Sequence, residues 1–320
     1  MLLSVIVPVY NEEKNLRELY WKLTKVLINY KIAYEILFVN DGSVDASISI
    51  IKALAVESPH VRYMDFSRNF GHQIAVMAGL ENCAGDAAVI IDADLQDPPE
   101  LIIDLLRKYQ EGFQVVYAKR KIRKGESFLK KATAKLFYRV LSSITSINIP
   151  LDTGDFRIID RKIIDILKKM PEQHKYLRGQ IAWVGFNQTY VEYERNPRFA
   201  GETGYTYKKM IKFAMDGITA FSDFPLKMAT ISGFVVSFIS LLLIIYTLYI
   251  RLITGDYVAG WPSTMISVLF LGGIQLIGIG VIGEYIGRIG ANVRRRPLYI
   301  IRESNTRNDF PKQEKIQSTI

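Results

Sequence analysis

Apolar and polar positions in the first hundred residues follow two alternating periods. Leu3-Ser4-Val5-Ile6-Val7-Pro8-Val9-Tyr10 is a nearly continuous apolar run and predicts a buried strand, closed by the polar turn Asn11-Glu12-Glu13. Apolar residues then recur at helical spacing from Leu16 to about Ile28. Tyr34-Glu35-Ile36-Leu37-Phe38-Val39-Asn40 predicts a second strand, ended by Asp41-Gly42-Ser43, and Asp45 stands where it can cap a helix over Ala46 to Val56. A third strand over Val61 to Phe66, a helix over Gly71 to Asn82 and a fourth strand over Ala87 to Ile91 complete the pattern. Strands alternating with helices predict an α/β fold with a mostly parallel, doubly wound sheet.

Ligands of such sheets bind at the carboxyl ends of the strands. That edge collects Asn11, Asp41 and the pair Asp92/Asp94 of Val89-Ile90-Ile91-Asp92-Ala93-Asp94-Leu95-Gln96-Asp97-Pro98-Pro99. Two carboxylates so close repel each other unless a positive charge lies between them, and a divalent cation carrying a diphosphate meets that need. Asp-x-Asp alone also suits a surface turn. Three separate segments converging on one edge favour a binding site. Alternate residues of a strand point to opposite faces, so Asp92 and Asp94 can share a site only where the strand has ended. Pro98-Pro99 just downstream provides such a stop.

The second half changes the picture. Met228 to Ile250 is uncharged and mostly apolar between Lys227 and Arg251, and at about 23 residues it reaches roughly 34 Å as a helix, enough for a bilayer core. Ser263 to Gly283 is a second uncharged stretch; its glycines, Gly272, Gly273, Gly278, Gly280 and Gly283, suit membrane helices and close helix contact, which predicts self-association. Two buried helices of a large soluble core are the alternative. The mean hydropathy of +0.11 fits a soluble domain with two spans. Between the halves, Tyr207, Met210, Ile211, Ala214, Ile218 and Phe221 recur at helical spacing with Lys208, Lys209 and Lys212 at other positions, which predicts an amphipathic helix lying in the membrane interface.

The net charge is +9. Its basic residues cluster beside the spans and in Lys119-Arg120-Lys121-Ile122-Arg123-Lys124, so anionic lipid is the expected partner and nucleic acid is not. Basic residues flank both outer ends of the hairpin, whereas the connector Arg251 to Pro262 holds one Arg and one Asp; both ends therefore face the cytosol. Met1 to Val9 carries no basic leader, and the single cysteine, Cys83, leaves no internal disulfide to form. The expected organisation is a catalytic domain over 1–204, amphipathic juxtamembrane helices over 205–226, a two-helix transmembrane hairpin over 227–290 and a basic, disordered cytoplasmic tail over 291–320.

Several ordered motifs match together. Val7-Pro8-Val9-Tyr10-Asn11-Glu12, Asn40-Asp41-Gly42-Ser43, Ser67-Arg68-Asn69-Phe70-Gly71, Asp92-Ala93-Asp94-Leu95-Gln96-Asp97-Pro98-Pro99-Glu100, Asp152-Thr153-Gly154-Asp155-Phe156-Arg157 and Arg198-Phe199-Ala200-Gly201 resemble the inverting glycosyltransferases with a GT-A fold. More narrowly, they resemble the polyisoprenyl-phosphate glycosyltransferases of the dolichol-phosphate-mannose synthase and bactoprenol glucosyltransferase type, over Leu3 to about Arg296. The resemblance implies a nucleotide-sugar donor, UDP-glucose above GDP-mannose or UDP-N-acetylglucosamine, and a polyisoprenyl phosphate such as undecaprenyl phosphate as acceptor. It implies Mg2+ or Mn2+ held by Asp94 with Asp92 nearby. Asp41 would recognise base or ribose, Pro8, Tyr10, Asn11 and Glu12 would line the nucleotide pocket, and Gln96 would sit beside metal or sugar. Asp155 matches the catalytic carboxylate, with Asp152 a rival that spacing does not separate.

An acceptor phosphate needs cations, and Arg120, Arg123 and Arg198 are the candidates; a solvated basic face is the other reading of each. His72, where many relatives carry Lys, meets a diphosphate oxygen or caps and packs a helix start, and Gly204 stands where the family commonly has a Lys. The resulting expectation is a multi-pass plasma-membrane (inner-membrane) enzyme, its catalytic domain cytoplasmic, that moves one sugar onto the lipid phosphate. A processive polysaccharide synthase and a non-catalytic nucleotide-sugar-binding membrane protein are the alternatives.

Overall fold

The structure is a computed structural model that describes residues 1–121, 153–194, 222, 224–249, 252–253 and 260–306. Its centre is one eight-stranded sheet. β1 (Leu2–Val9), β2 (Ala33–Asn40), β3 (Val61–Phe66) and β4 (Ala87–Ile90) run parallel to one another, joined by α1 (Leu16–Asn29), α2 (Ser47–Glu57) and α3 (His72–Asn82). These follow the predicted alternation to within a residue or two at each end. α1 shows the cause: Leu16, Leu19, Leu23, Val26 and Leu27 make one buried stripe, and the helix packs that stripe on the sheet.

Beyond β4 the pattern departs from a simple doubly wound sheet. α4 (Leu101–Gln110) leads to β5 (Val115–Arg120), and β6 (Thr153–Asp160) inserts antiparallel between β4 and β5. α5 (Arg161–Lys169) and α6 (Leu177–Val184) follow, and β7 (Gln188–Tyr193) adds parallel to β5 at the edge. The strand order is β7-β5-β6-β4-β1-β2-β3-β8, where β8 is Ile301–Ser304. One apolar layer joins one sheet face to α1, α2 and α4 through Leu19, Ile51 and Leu105. The other joins the opposite face to α3, α5 and α6 through Met77, Ile164 and Ile181. With both faces covered, the central strands are apolar on both sides, which is why they read as runs rather than alternations.

Pro8 lies inside the central strand β1 without breaking the sheet. Ile6 carbonyl accepts from Ile91, and β4 ends there. The backbone of Pro8, two residues on, therefore faces a side where no strand remains to receive its missing N–H.

α7 (Phe224–Tyr249) and α8 (Trp261–Arg294) are mostly apolar, with Lys227 near the start of α7 and Glu284, Arg288 and Arg294 in the later turns of α8. Both pass the length and apolarity needed to cross a membrane, with windows of mean hydropathy 1.9 and 2.2 and none of either window buried. Neither window is buried in the core of the α/β domain. Pro225 occupies the first turn of α7, where its missing N–H costs nothing. α8 outlasts the predicted Ser263 to Gly283 span: Glu284 and Arg288 pair at 2.9 Å on its later turns.

The tail is a correction. Residues 291–294 finish α8, and Ile301–Ser304 form β8, antiparallel to β3 at the sheet edge. The disorder expected over 291–320 does not hold for this part; residues 307–320 lie outside the described residues. β3 would otherwise be an open edge, and its unmatched backbone groups are what orders β8. Glu303 adds a bond to Lys52 at 2.5 Å and one from Tyr63 hydroxyl at 2.7 Å. The predicted interface helix, Asp152, Arg123, Arg198 and the stretch Gly201 to Tyr205 also lie outside the described residues.

Candidate active site

Three loops at the carboxyl ends of β1, β2 and β3 brace one another. Asn11, at φ 57°, donates its backbone N–H to Ser43 Oγ at 2.9 Å and accepts from Val44 N–H through Oδ1 at 2.9 Å. Glu12 N–H donates to Ser47 Oγ at 2.9 Å, and Glu12 Oε2 accepts from Asn15 at 2.6 Å. Asp45 accepts from Ser47 N–H at 3.0 Å at the start of α2, as expected, and also from Glu13 N–H at 3.1 Å. Gly42, at φ +66°, lies so close to the Arg68–Asn69 peptide that a Cβ would stand 2.4 Å from the Arg68 carbonyl carbon. Only glycine allows that approach.

Asp41 is buried, and both its oxygens are engaged: Oδ1 accepts from Phe70 N–H at 2.6 Å and Oδ2 from Gly71 N–H at 3.0 Å. Burial raises its pKa, and the two N–H groups only partly offset this. The side chain read as a base or ribose contact thus holds the Ser67–Gly71 loop in place. Tyr10 is exposed at the end of β1, and Pro8 is buried within it.

Asp92 and Asp94 lie beyond the end of β4, in a turn that includes Leu95 at φ 58°. The strand has therefore ended before the first of them, the condition for the two to share a site. Asp94 Oδ1 accepts from Gln96 N–H at 3.1 Å. Asp92 Oδ1 is sealed from solvent and accepts no hydrogen bond. Burial pushes the Asp92 pKa up to about 6, and the charges of Asp155, Asp97 and Asp94 add to this against the pull of His72.

His72, the first residue of α3, is neither a plain cap nor packing. Its Nε2 lies 3.0 Å from Asp155 Oδ2 and 3.7 Å from Asp92 Oδ1. Burial opposes charge on the ring, but the bond to Asp155 and the two carboxylate charges outweigh it and push the pKa up to about 9. The side chain is 44% exposed, so the ring sits at the rim of the cleft.

Asp155, on β6, is gripped from several sides. Gln73 Nε2 donates to Oδ2 at 3.2 Å, while Arg178 Nε and Arg157 Nη2 donate to Oδ1 at 3.0 and 3.2 Å. Burial alone would favour its neutral form; Arg178, His72 and Arg157 reverse that and hold it well below the usual carboxylate range. Arg157 is itself fully buried, donating to Gly154 carbonyl at 2.8 Å with its guanidinium 5.0 Å from the Tyr117 ring. Arg157 was legible as a neighbour, because residues two apart on a strand share a face. Gln73 and Arg178 were not: they come from α3 and α6, and only the fold brings them to Asp155.

Arg120 ends β5. Its Nε donates to Tyr193 hydroxyl at 3.3 Å, and Tyr193 in turn donates to buried Asp97. Its Nη2 stands over Gly154, where a Cβ would be 2.9 Å away. Arg120 is thus at the end of a strand, beside the residue preceding Asp155.

The residues present fit a divalent cation. Asp92 and Asp94 are hard oxygen donors, and the unbonded Asp92 Oδ1 is the kind of atom such an ion satisfies. Among the described residues no group of three or more His, Cys, Asp or Glu side chains could enclose an ion alone. That suits an ion held by one or two carboxylates together with substrate phosphates.

A GT-A sheet with acidic groups at its carboxyl rim defines a class, the nucleotide-sugar-dependent glycosyltransferases. Residues 4–167 match Glycosyl transferase family 2, and the chain belongs to that family. It is 52% identical to the uncharacterized glycosyltransferase YkcC of Bacillus subtilis, over 94% of this chain and 93% of that one. It is 44% identical to the SfII prophage-derived bactoprenol glucosyl transferase of Shigella flexneri, over 96% of this chain and 100% of that one. These matches bear out the resemblance to polyisoprenyl-phosphate glycosyltransferases read from the motifs. Among solved structures, mannosyl-3-phosphoglycerate synthase from Rubrobacter xylanophilus aligns at 17% identity and a TM-score of 0.46, over 69% of this chain and 72% of that one.

Proposed function

We propose that this enzyme transfers one glucose from UDP-glucose to undecaprenyl phosphate, with inversion, at the cytoplasmic face of the plasma membrane. The observation that carries the reading is the cluster Asp92–His72–Asp155 beside Asp94, on a chain with two membrane-length helices. Glucose and bactoprenol are what the Shigella relatives' names state of those proteins.

Asp94, with Asp92, would hold Mg2+ or Mn2+, which supplies Lewis-acid charge to the departing diphosphate when bound. Asp155 orients the acceptor. A carboxylate held so far below its usual range is a weak base, and a phosphate monoester, with a second pKa of about 6, is already largely dianionic at neutral pH. No strong base is needed, and the contribution is positioning and charge. His72 keeps a positive charge between the two carboxylates, which reduces their mutual repulsion. Arg120 extends the cationic side toward the acceptor phosphate, with Arg123 and Arg198 as further cations.

The topology supports one orientation. β7 precedes the helical hairpin and β8 follows it, yet both belong to one sheet. That supports both ends of the hairpin lying on the same side of the membrane, and the basic residues beside them favour the cytosolic side. The glycines of α8 leave open space where a second copy could pack closely.

The test uses membranes containing the full chain, undecaprenyl phosphate and a panel of radiolabelled nucleotide sugars, with and without chelator. A single glucose on lipid, lost with chelator and in Asp94→Ala, is the expected result. Transfer that survives Asp94→Ala overturns the metal role. A polymeric product, or donor binding without turnover, overturns the reaction.

A further inference from the structure

The strand that follows the membrane hairpin is joined to the nucleotide loops by a continuous polar chain. Arg302, on β8, places Nη1 3.4 Å from Asp65 Oδ2 and donates from Nη2 to Ser67 carbonyl at 2.9 Å. Asp65 is buried, and its Oδ1 accepts from Asn40 Nδ2 at 2.7 Å. Asn40 Oδ1 accepts from Ser43 Oγ at 2.5 Å, and Ser43 Oγ accepts from Asn11 N–H. Ser67 begins the loop whose other end is held by Asp41.

We propose that Arg302 is a positioning residue for the donor pocket, setting the loops at Asn11, Ser43 and Ser67 from a strand beyond the membrane helices. This rests on the reading that those loops bind the nucleotide. A buried carboxylate needs a charged or strongly donating partner. Without Arg302, Asp65 keeps only the neutral Asn40 amide. It then draws solvent toward itself, which loosens Asn40 and with it Ser43 and Asn11. Ser67 loses its brace at the same time. The strand itself stays docked, because Glu303 holds Lys52 and Tyr63, Asn305 Oδ1 accepts from Tyr63 N–H at 2.6 Å, and Ile300 carbonyl accepts from Ser67 N–H at 2.9 Å.

The test compares wild type, Arg302→Ala and Arg302→Lys as full-length detergent-solubilised protein. UDP binding is read by calorimetry, donor KM and kcat by sugar transfer, and backbone hydrogen exchange at residues 40–44 and 67–71. Arg302→Ala is expected to weaken UDP and raise donor KM about tenfold, the size of a lost charge-assisted hydrogen bond, with kcat within about twofold. Exchange should quicken in those loops and not in β1 or β4, and Arg302→Lys should recover part of the affinity. Unchanged UDP affinity in Arg302→Ala overturns the inference. So does a fall in kcat and thermal stability with KM unchanged, since that is a structural role only. Wild type that binds no UDP overturns the reading of the site and this inference with it.

Discussion

His72 Nε2 sits 3.0 Å from Asp155 Oδ2, joining the start of α3 to a strand 83 residues further along the chain. The contact ties the acidic turn after β4 to β6, because the same nitrogen lies 3.7 Å from Asp92. One ring therefore neutralises two carboxylates that belong to different segments.

That ring gives a signed pH dependence. Its pKa is raised from 6.5 to about 9, so its contribution to stability is complete below the ordinary value and is lost as pH rises through about 9. In chelator, the difference in melting temperature between wild type and His72→Gln should be largest near pH 6.5 and shrink as pH rises from there to about 9. A difference that grows with pH would contradict the assignment. Histidine NMR should find this ring titrating near pH 9.

Asp155→Asn should lower sugar transfer on the order of a hundredfold while donor affinity stays within a few-fold, because its two arginine partners, Arg178 and Arg157, come from α6 and β6 and not from the loops at Asn11, Ser43 and Ser67. Because Asp155 is held ionised far below pH 7, the wild-type rate should show no inflection from it between pH 5 and 8. Collapse of UDP binding in Asp155→Asn would move this residue into the donor pocket or the fold.

Gly42→Ala should destabilise the protein and weaken UDP binding together. The methyl group would meet the Arg68–Asn69 backbone, which cannot rotate away, at a φ that L-residues avoid. A cost of about 1–3 kcal/mol from the backbone conformation alone is expected in chemical denaturation, with the clash in addition. A neutral Gly42→Ala would mean that the two loops are not in contact.

A chain cut after Phe224 loses β8 as well as the helices, so it should be a poorer soluble domain than its catalytic motifs suggest. Its β3 edge would be open to other chains. Size-exclusion chromatography should show aggregates that diminish when residues 297–306 are fused back through a flexible linker. A monodisperse cut domain without β8 would show that the edge needs no cover.

The strands from β1 to β4 and their helices were legible because burial on both faces imposes apolar runs, and crossovers impose amphipathic stripes. The acidic turn was legible because Asp92 and Asp94 follow such a run directly. The two long apolar helices were legible by length and lack of charge alone. β6 was harder, because its motif reveals chemistry but no partner, and nothing local says that it inserts antiparallel between β4 and β5. β8 was missed: Ile301-Arg302-Glu303-Ser304 is short and polar, and only the open edge of β3 makes it a strand.

The chain by itself determined the local periods, the family motifs, the acidic pair and the apolar spans, since each depends on residues close together in sequence. Tertiary structure decided who meets whom. It set Arg178, Gln73 and His72 around Asp155, turned Asp41 toward the Phe70–Gly71 backbone, and returned the tail to the sheet. Those outcomes depend on charges and hydrogen-bonding groups brought together from distant segments, and the energy of burying a polar group is settled only by the partner that the fold delivers.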